Sequence, residues 1–223
     1  MSSFVYNPPL EPYLNILYAD DDILVCDKPN GLLSVRGKAP EHQDSLEVRV
    51  KRVYPTVGIV HRLDMSTSGI MLMALNKPAH SALARQFQER QTSKTYIARL
   101  SGHPHSTQGI VELPLICDWP NRPKQKVCFE SGKPSTTYWR LMDKGVDAQG
   151  FKFCRVALTP VTGRSHQLRV HMQQIGHAIL GDKFYAEPDG FAAACRLQLH
   201  AEQLGFYHPV SHEWLDFNCP CPF

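Results

Sequence analysis

The period of apolar and polar positions changes several times along the chain, and each change marks an element. Residues 23–26 (ILVC) form a short unbroken apolar run closed by Lys28-Pro29-Asn30-Gly31, the pattern of a buried strand entering a turn. Asp44 and Glu47 stand ahead of Val50 and Val53 and flank Leu46, which predicts a helix opened by an Asp–Glu capping box. Residues 57–60 read as a strand, and residues 70–75 (IMLMAL) as a strand buried on both faces. Asn76 is placed to cap a helix with Pro78 in its first turn, and Ala79, Leu83 and Phe87 recur along its inner face. Residues 94–100, 110–113, 127–129, 135–142 and 151–158 read as strands, with a Pro-rich basic loop over 118–126. Thr162-Gly163-Arg164-Ser165 opens a further helix with Leu168, Met172 and Ile175 on one face and Gly176 as its C′ residue. Leu197, Leu199, Trp214, Leu215 and Phe217 suggest closing strands.

This order is rich in strands, with two or three helices inserted and no regular strand–helix alternation. It predicts an α+β fold around a bent mixed or antiparallel sheet. Residues 1–15 are expected as an extended arm, 16–217 as a single two-lobed domain, and 218–223 as a C-terminal tail. A 43% hydrophobic content over 223 residues suffices for one sizeable core. No apolar run approaches the roughly 18 residues a membrane span needs, and the N-terminus lacks a basic segment followed by an apolar one. A cytoplasmic protein without a membrane partner is the expectation.

Seven scattered cysteines give no disulfide framework. Cys26 and Cys154 lie in apolar runs and read as buried thiols, while Cys219 and Cys221 form a C-x-C without a partner pair at zinc-site spacing. Histidines 61, 166, 171 and 200 could suggest a metal site, but His61 and His166 are read as making loop and helix-start hydrogen bonds, and no metal is expected. Net charge is only +3, but residues 118–140 carry five basic residues against two acids. Aromatic and cationic side chains interleave there (Trp119, Arg122, Lys124, Lys126), as in surfaces that grip nucleic acid.

Two constellations carry candidate chemistry. HRLDMSTSG (61–69) is a polar loop between two apolar strands, a rigid place for a reactive carboxylate. GRSHQLRVH (163–171) crowds cations at the start of an amphipathic helix. There Arg169 borders the core, and a half-buried arginine calls for a carboxylate. No P-loop, G-x-G-x-x-G or metal-ligand pattern is present, so no cofactor is expected.

The two constellations in this order, with Lys94-Thr95-Tyr96 between them, resemble the RluA family of pseudouridine synthases. DKPNG (27–31) and GHAILGD (176–182) extend the likeness, with Ala178 where the family usually has proline. YNPP (6–9), the run LPLICDWPNRPKQK (113–126) and the lack of an N-terminal S4-type domain resemble a dual-specificity member of that family. The resemblance implies a pseudouridine synthase fold with a central RNA-binding cleft. It implies an isomerase acting on stem-loops of 23S rRNA (U746) and the tRNA anticodon arm (U32). It assigns Asp64 as the catalytic carboxylate, acting either as nucleophile at C1′ or as base at C2′. Arg169 becomes the ion-pair partner of Asp64, and Tyr96 the ring stacked on the target uracil. Arg62 is implied as the side chain that fills the stack when the base leaves. His61, Arg164 and His166, from the same motifs, join the basic loop as candidate RNA contacts. A monomer without an obligate protein partner is expected. The rivals are a non-catalytic stem-loop binding protein on the same fold and a hydrolase that pairs Asp64 with a second acid, although no such acid flanks it.

Overall fold

The structure is a computed structural model and describes residues 5–223. The chain divides into two compact units, Met1–Ser93 with Ala201–Cys221, and Lys94–His200 with Pro222–Phe223. The α+β class holds in both.

In the first unit, β1 (Asn15–Ala19), β2 (Ile23–Lys28), β4 (Ser68–Ala74) and β11 (Leu199–Tyr207, from Ala201 onward) lie side by side in that order. The short β3 (Gly58–Ile59) also pairs with β4, and β12 (Trp214–Asn218) with β11. The unbroken apolar runs of β2 and β4 follow from cover on both faces. Ile23, Val25, Ile70, Leu72 and Ala74 pack on α2 (Lys77–Glu89) through Ala79 and Leu83. Leu24, Cys26, Met71 and Met73 pack on α1 (Leu46–Lys51) through Leu46 and Val50. Burial pushes the Cys26 thiol up to about 12, which makes it an inert core group. Asn76 caps α2 as expected, its side chain accepting from the Ala79 N–H.

The cap of α1 differs from the expectation. Ser45, not Asp44, accepts from the Val48 N–H. The Asp44 carboxylate instead receives Nε and Nη2 of fully buried Arg49 at 3.0 and 2.6 Å, and Glu47 pairs with Lys51. A buried guanidinium costs far more unpaired than a helix start costs uncapped, so it takes the carboxylate. Residues 218–223, expected as a tail, include Cys219 buried in the first unit's core, with its N–H donating to the Glu202 carbonyl.

In the second unit, β5 (Ser93–Ser101), β10 (Lys152–Pro160), β9 (Thr136–Val146) and β6 (Gln108–Glu112) form an antiparallel array in that order. Its inner face (Ala98, Leu100, Val111, Trp139, Cys154, Val156, Leu158) packs on Leu168 and Met172 of α3 (Gln167–Gln174). The helix ends as predicted at Gly176 (φ +83), where the His177 N–H reaches the Met172 carbonyl and the Gly176 N–H reaches Gln173. A five-residue helix, α4 (Pro188–Ala192), follows.

The expected strand at 127–129 is displaced. A separate hairpin forms from β7 (Leu115–Cys117) and β8 (Gln125–Val127), while β6 joins β9. Phe129 lies in a turn and is 77% exposed, because the Cys128 N–H bonds the Pro114 carbonyl and the Gly132 N–H returns to Cys128.

Candidate active site

The loop 61–69 is fastened along its length within the first unit. The Leu72 N–H of β4 donates to His61 Nε2 at 2.9 Å, just beyond the Ile59–Met73 pairing, and the His61 ring stacks on Phe87 at 4.7 Å. Arg62 is exposed. Buried Leu63 is bound at both ends by Ser34, whose hydroxyl donates to the Leu63 carbonyl (2.6 Å) and accepts its N–H (3.1 Å). The Thr67 N–H turns back onto the Asp64 carbonyl. Asp64 itself is half-buried.

Beneath the next residues lies the Lys28-Pro29-Asn30-Gly31 turn. Lys28 is fully buried, and its ammonium donates to the carbonyls of Pro29, Leu32 and Met65 at 2.9, 2.8 and 3.1 Å. Asn30 Nδ2 donates to the Ser66 carbonyl and the Gly31 N–H to Met65. The turn that closes β2 is thus also the floor of the Asp64 loop. Gly69 has φ +111, and a Cβ there would meet the Ala201 carbonyl oxygen at 2.2 Å, so the loop can end only in glycine.

The second constellation belongs to the second unit, and its helix starts later than its motif. Residues 163–165 precede α3, and His166, at φ +53, is its N-cap. Behind the helix runs a buried polar network. Thr162 Oγ1 accepts from the Thr136 N–H and donates to Gln167 Oε1, which also accepts the Arg164 N–H. Gln167 Nε2 donates to the Thr136 carbonyl and to Thr137 Oγ1, and Thr137 donates in turn to His171 Nδ1. Ser135 spends its proton on the Leu113 carbonyl, so its oxygen accepts from His171 Nε2. His171 is fully enclosed and neutral, its pKa held down by burial. Gln167 was not singled out in the sequence. A polar residue next to a core leucine in a helix's first turn was the available signal.

Arg169 is 3% exposed rather than half-buried, and its partner within the unit is Asp182. Nε and Nη2 hold the two carboxylate oxygens at 2.7 and 2.6 Å in a fork. Asp182 Oδ1 also accepts the Phe184 N–H, and the Phe184 and Tyr185 rings each lie 5.2 Å from the guanidinium carbon. Sequence reading matched GHAILGD without assigning Asp182 this role. Gly181 (φ +70) makes the turn possible, since a Cβ there would stand 2.0 Å from the Arg196 carbonyl oxygen. Ala178 does not loosen the segment, because its carbonyl accepts the Ser101 N–H and His177 Nδ1 bonds the Ser101 carbonyl. Tyr96 on β5 is partly buried against the same core, opposite Leu158.

The basic loop is the tip of the β7–β8 hairpin. Trp119 is 66% exposed with the Arg122 guanidinium 4.7 Å from its ring, and Lys126 pairs with Asp118 at 3.4 Å. Arg164 is exposed, its Nε donating to the Pro134 carbonyl. Among the described residues, one group brings metal-ligand types together, Asp20, Asp22 and His208. Each is already used in closing loops. His208 Nδ1 accepts the Val210 and Ser211 N–H groups, which leaves Nε2 to donate to Asp20, and Asp22 Oδ1 accepts from Asn76.

The family model described as RNA pseudouridylate synthase matches residues 22–174. The chain is 55% identical over 218 residues to the dual-specificity RNA pseudouridine synthase RluA of Escherichia coli K12, covering 98% of each. It is 53% identical to the protein of the same name from Vibrio vulnificus, covering all of this chain and 89% of that one. Among solved structures, human RNA pseudouridylate synthase domain containing 1 superposes with a TM-score of 0.79 at 31% identity, covering all of this chain and 87% of its own. A family model that matches most of the chain and relatives more than half identical along nearly its whole length agree: the chain belongs to the RNA pseudouridylate synthase family.

Proposed function

We propose that this enzyme isomerises uridines in stem-loops of both ribosomal RNA and tRNA, with Asp64 as the reacting carboxylate. The near full-length match to dual-specificity synthases carries this reading. The reaction breaks the N1–C1′ bond, turns the uracil and joins C5 to C1′. The C5 proton is lost and N1 regains one, so no electrons or cofactor are exchanged. Asp64 either attacks C1′ or removes the C2′ proton. Both routes place charge on or beside a carboxylate, and a cationic partner is the natural counter-charge there. In this reading Arg169 is the ion-pair partner that the resemblance assigns to Asp64, and within its own unit Asp182 fixes its Nε and Nη2.

Tyr96 stacks on the extruded uracil and assists loss of the C5 proton. Extrusion costs a few kcal/mol, and exposed Arg62 fills the gap by stacking its planar group on the neighbouring bases. Trp119, Arg122, Lys124 and Lys126 grip the RNA backbone and bases, with Arg164, His61 and His166 as further RNA contacts. Lys126 contributes least, since Asp118 already shares its charge. The enzyme acts as a cytoplasmic monomer. No helix among the described residues is long and apolar enough to cross a membrane.

Tritium release from RNA carrying 5-tritiated uridine tests the reading. Wild type should release label from both ribosomal RNA and tRNA of a strain lacking the enzyme. Asp64→Asn should bind the same RNAs with unchanged affinity and release none. Release by Asp64→Asn would remove Asp64 from the chemistry. Tight binding by wild type without release would make the protein a stem-loop binder.

A further inference from the structure

The hairpin β7–β8 is a sheet of its own, paired with neither β6 nor β9. Its base is fixed by the reciprocal Leu115–Lys133 backbone bonds. Farther out, where β8 begins, it meets one side-chain hydroxyl. The Gln125 N–H donates to Tyr185 Oη at 2.7 Å. The same oxygen lies 2.7 Å from Nδ1 of His166, the N-cap of α3. Tyr185 therefore touches the hairpin next to Lys124 and the helix three residues before Arg169.

The rest of the residue faces Arg169. The Tyr185 ring lies edge-on to His166 (5.6 Å, 84°) and 5.2 Å from the Arg169 guanidinium carbon. Three residues earlier, Asp182 holds the guanidinium edge, and its Oδ1 also fixes the Phe184 N–H. The segment 182–185 thus encloses Arg169 by edge and face and reaches the hairpin through Tyr185 Oη, beside the direct packing of β8 on α3. His166 sits in the left-handed region without a side-chain cap on its helix, so its position depends on tertiary contacts such as this one.

We infer that Tyr185 is a positioning residue that passes the hairpin's hold on RNA to the start of α3, and so to Arg169. This rests on the proposed reading of the hairpin as an RNA grip. A shift of the hairpin on binding phosphate moves the Gln125 N–H, and the shared hydroxyl carries that shift to His166. Productive RNA then aligns Arg169, while RNA that does not engage the hairpin leaves it less well set. Tyr185 need not touch substrate for this.

A double-mutant cycle with Lys124→Ala and Tyr185→Phe tests the inference, read as kcat and KM on a stem-loop substrate. Phenylalanine keeps the ring contacts and removes only the hydroxyl, and its thermal midpoint checks that the fold is intact. Tyr185→Phe should lower kcat about two- to tenfold, the worth of one hydrogen bond, with KM nearly unchanged. Lys124→Ala should lower kcat and raise KM in wild type, but in the Tyr185→Phe background it should change KM alone. Independent effects on kcat would overturn the inference, as would a Tyr185→Phe effect confined to KM. If Lys124→Ala changes neither constant, the hairpin is not an RNA grip and the inference falls with that reading.

Discussion

Single residues show how much local chemistry depends on what encloses it. Arg169 was expected at the edge of the core with a carboxylate nearby, and it lies inside with Asp182 in a two-point fork. The need for an acid was legible, because a buried guanidinium without one is prohibitive. The identity of that acid within the unit was not, because the turn at Gly181 that brings Asp182 back to α3 depends on a backbone approach that spacing does not encode. In the sequence His171 was only one of four histidines weighed for a metal site, with no role of its own. Its hydroxyl partners come from β9 and from the residue before it, while burial lowers its pKa. Because burial lowers its pKa in the folded state, the unfolded chain binds the proton more readily. Its contribution to stability is therefore complete above the unfolded value of about 6.5 and is lost as pH falls below it. The thermal midpoint of wild type should drop more steeply between about pH 6.5 and 5 than that of His171→Gln, and equal slopes would show that His171 is not the titrating group.

At the scale of elements, amphipathic periods located α2 and the body of α3, and apolar runs located β2 and β4. Each prediction succeeded where burial alone decides the pattern. Where a polar side chain had two uses, pattern misled. Asp44 had the spacing of a cap but serves Arg49. The second hairpin strand was placed too far along, since Val127 continues into a turn set by backbone bonds rather than by side-chain alternation, and the strand expected before the loop belongs to β6 rather than to the hairpin. The hairpin's basic tip was legible in composition, and its charges are not equal. Arg122 lies over Trp119, Lys126 pairs with Asp118, and Lys124 follows the proline at 123. Arg122→Ala or Lys124→Ala should weaken stem-loop binding and flatten the plot of log affinity against log salt by about 0.7–0.9 for each phosphate no longer neutralised. Lys126→Ala should flatten it less. Binding titrations between low and moderate salt would separate the three, and equal slopes would mean that the Asp118 pair does not screen Lys126.

At the scale of the whole molecule, the candidate groups are divided between two units with separate cores. Asp64 belongs to the first, and Tyr96, Arg169 and the hairpin to the second. The α+β class was legible because strand runs outnumber helical ones. Two lobes were expected within residues 16–217, but where the chain divides was not legible, because both units draw on the same kinds of apolar run, and the chain returns to the first only after residue 200. The Lys28 turn carries a consequence for slow dynamics. Loops ordinarily exchange their amide hydrogens quickly, because their backbone bonds open without disturbing the core. The stretch that bears Asp64 is joined to a fully enclosed ammonium, so opening it strips a partner from a buried charge. The amides of Gly31 and Thr67 should therefore exchange on the timescale of β2 and β4, not that of the hairpin tip, when followed by deuterium uptake. Fast uptake there would mean that Lys28 can give up its carbonyls at little cost. Slow uptake would make the segment that carries the proposed reacting group, though irregular in conformation, part of the molecule's most persistent substructure.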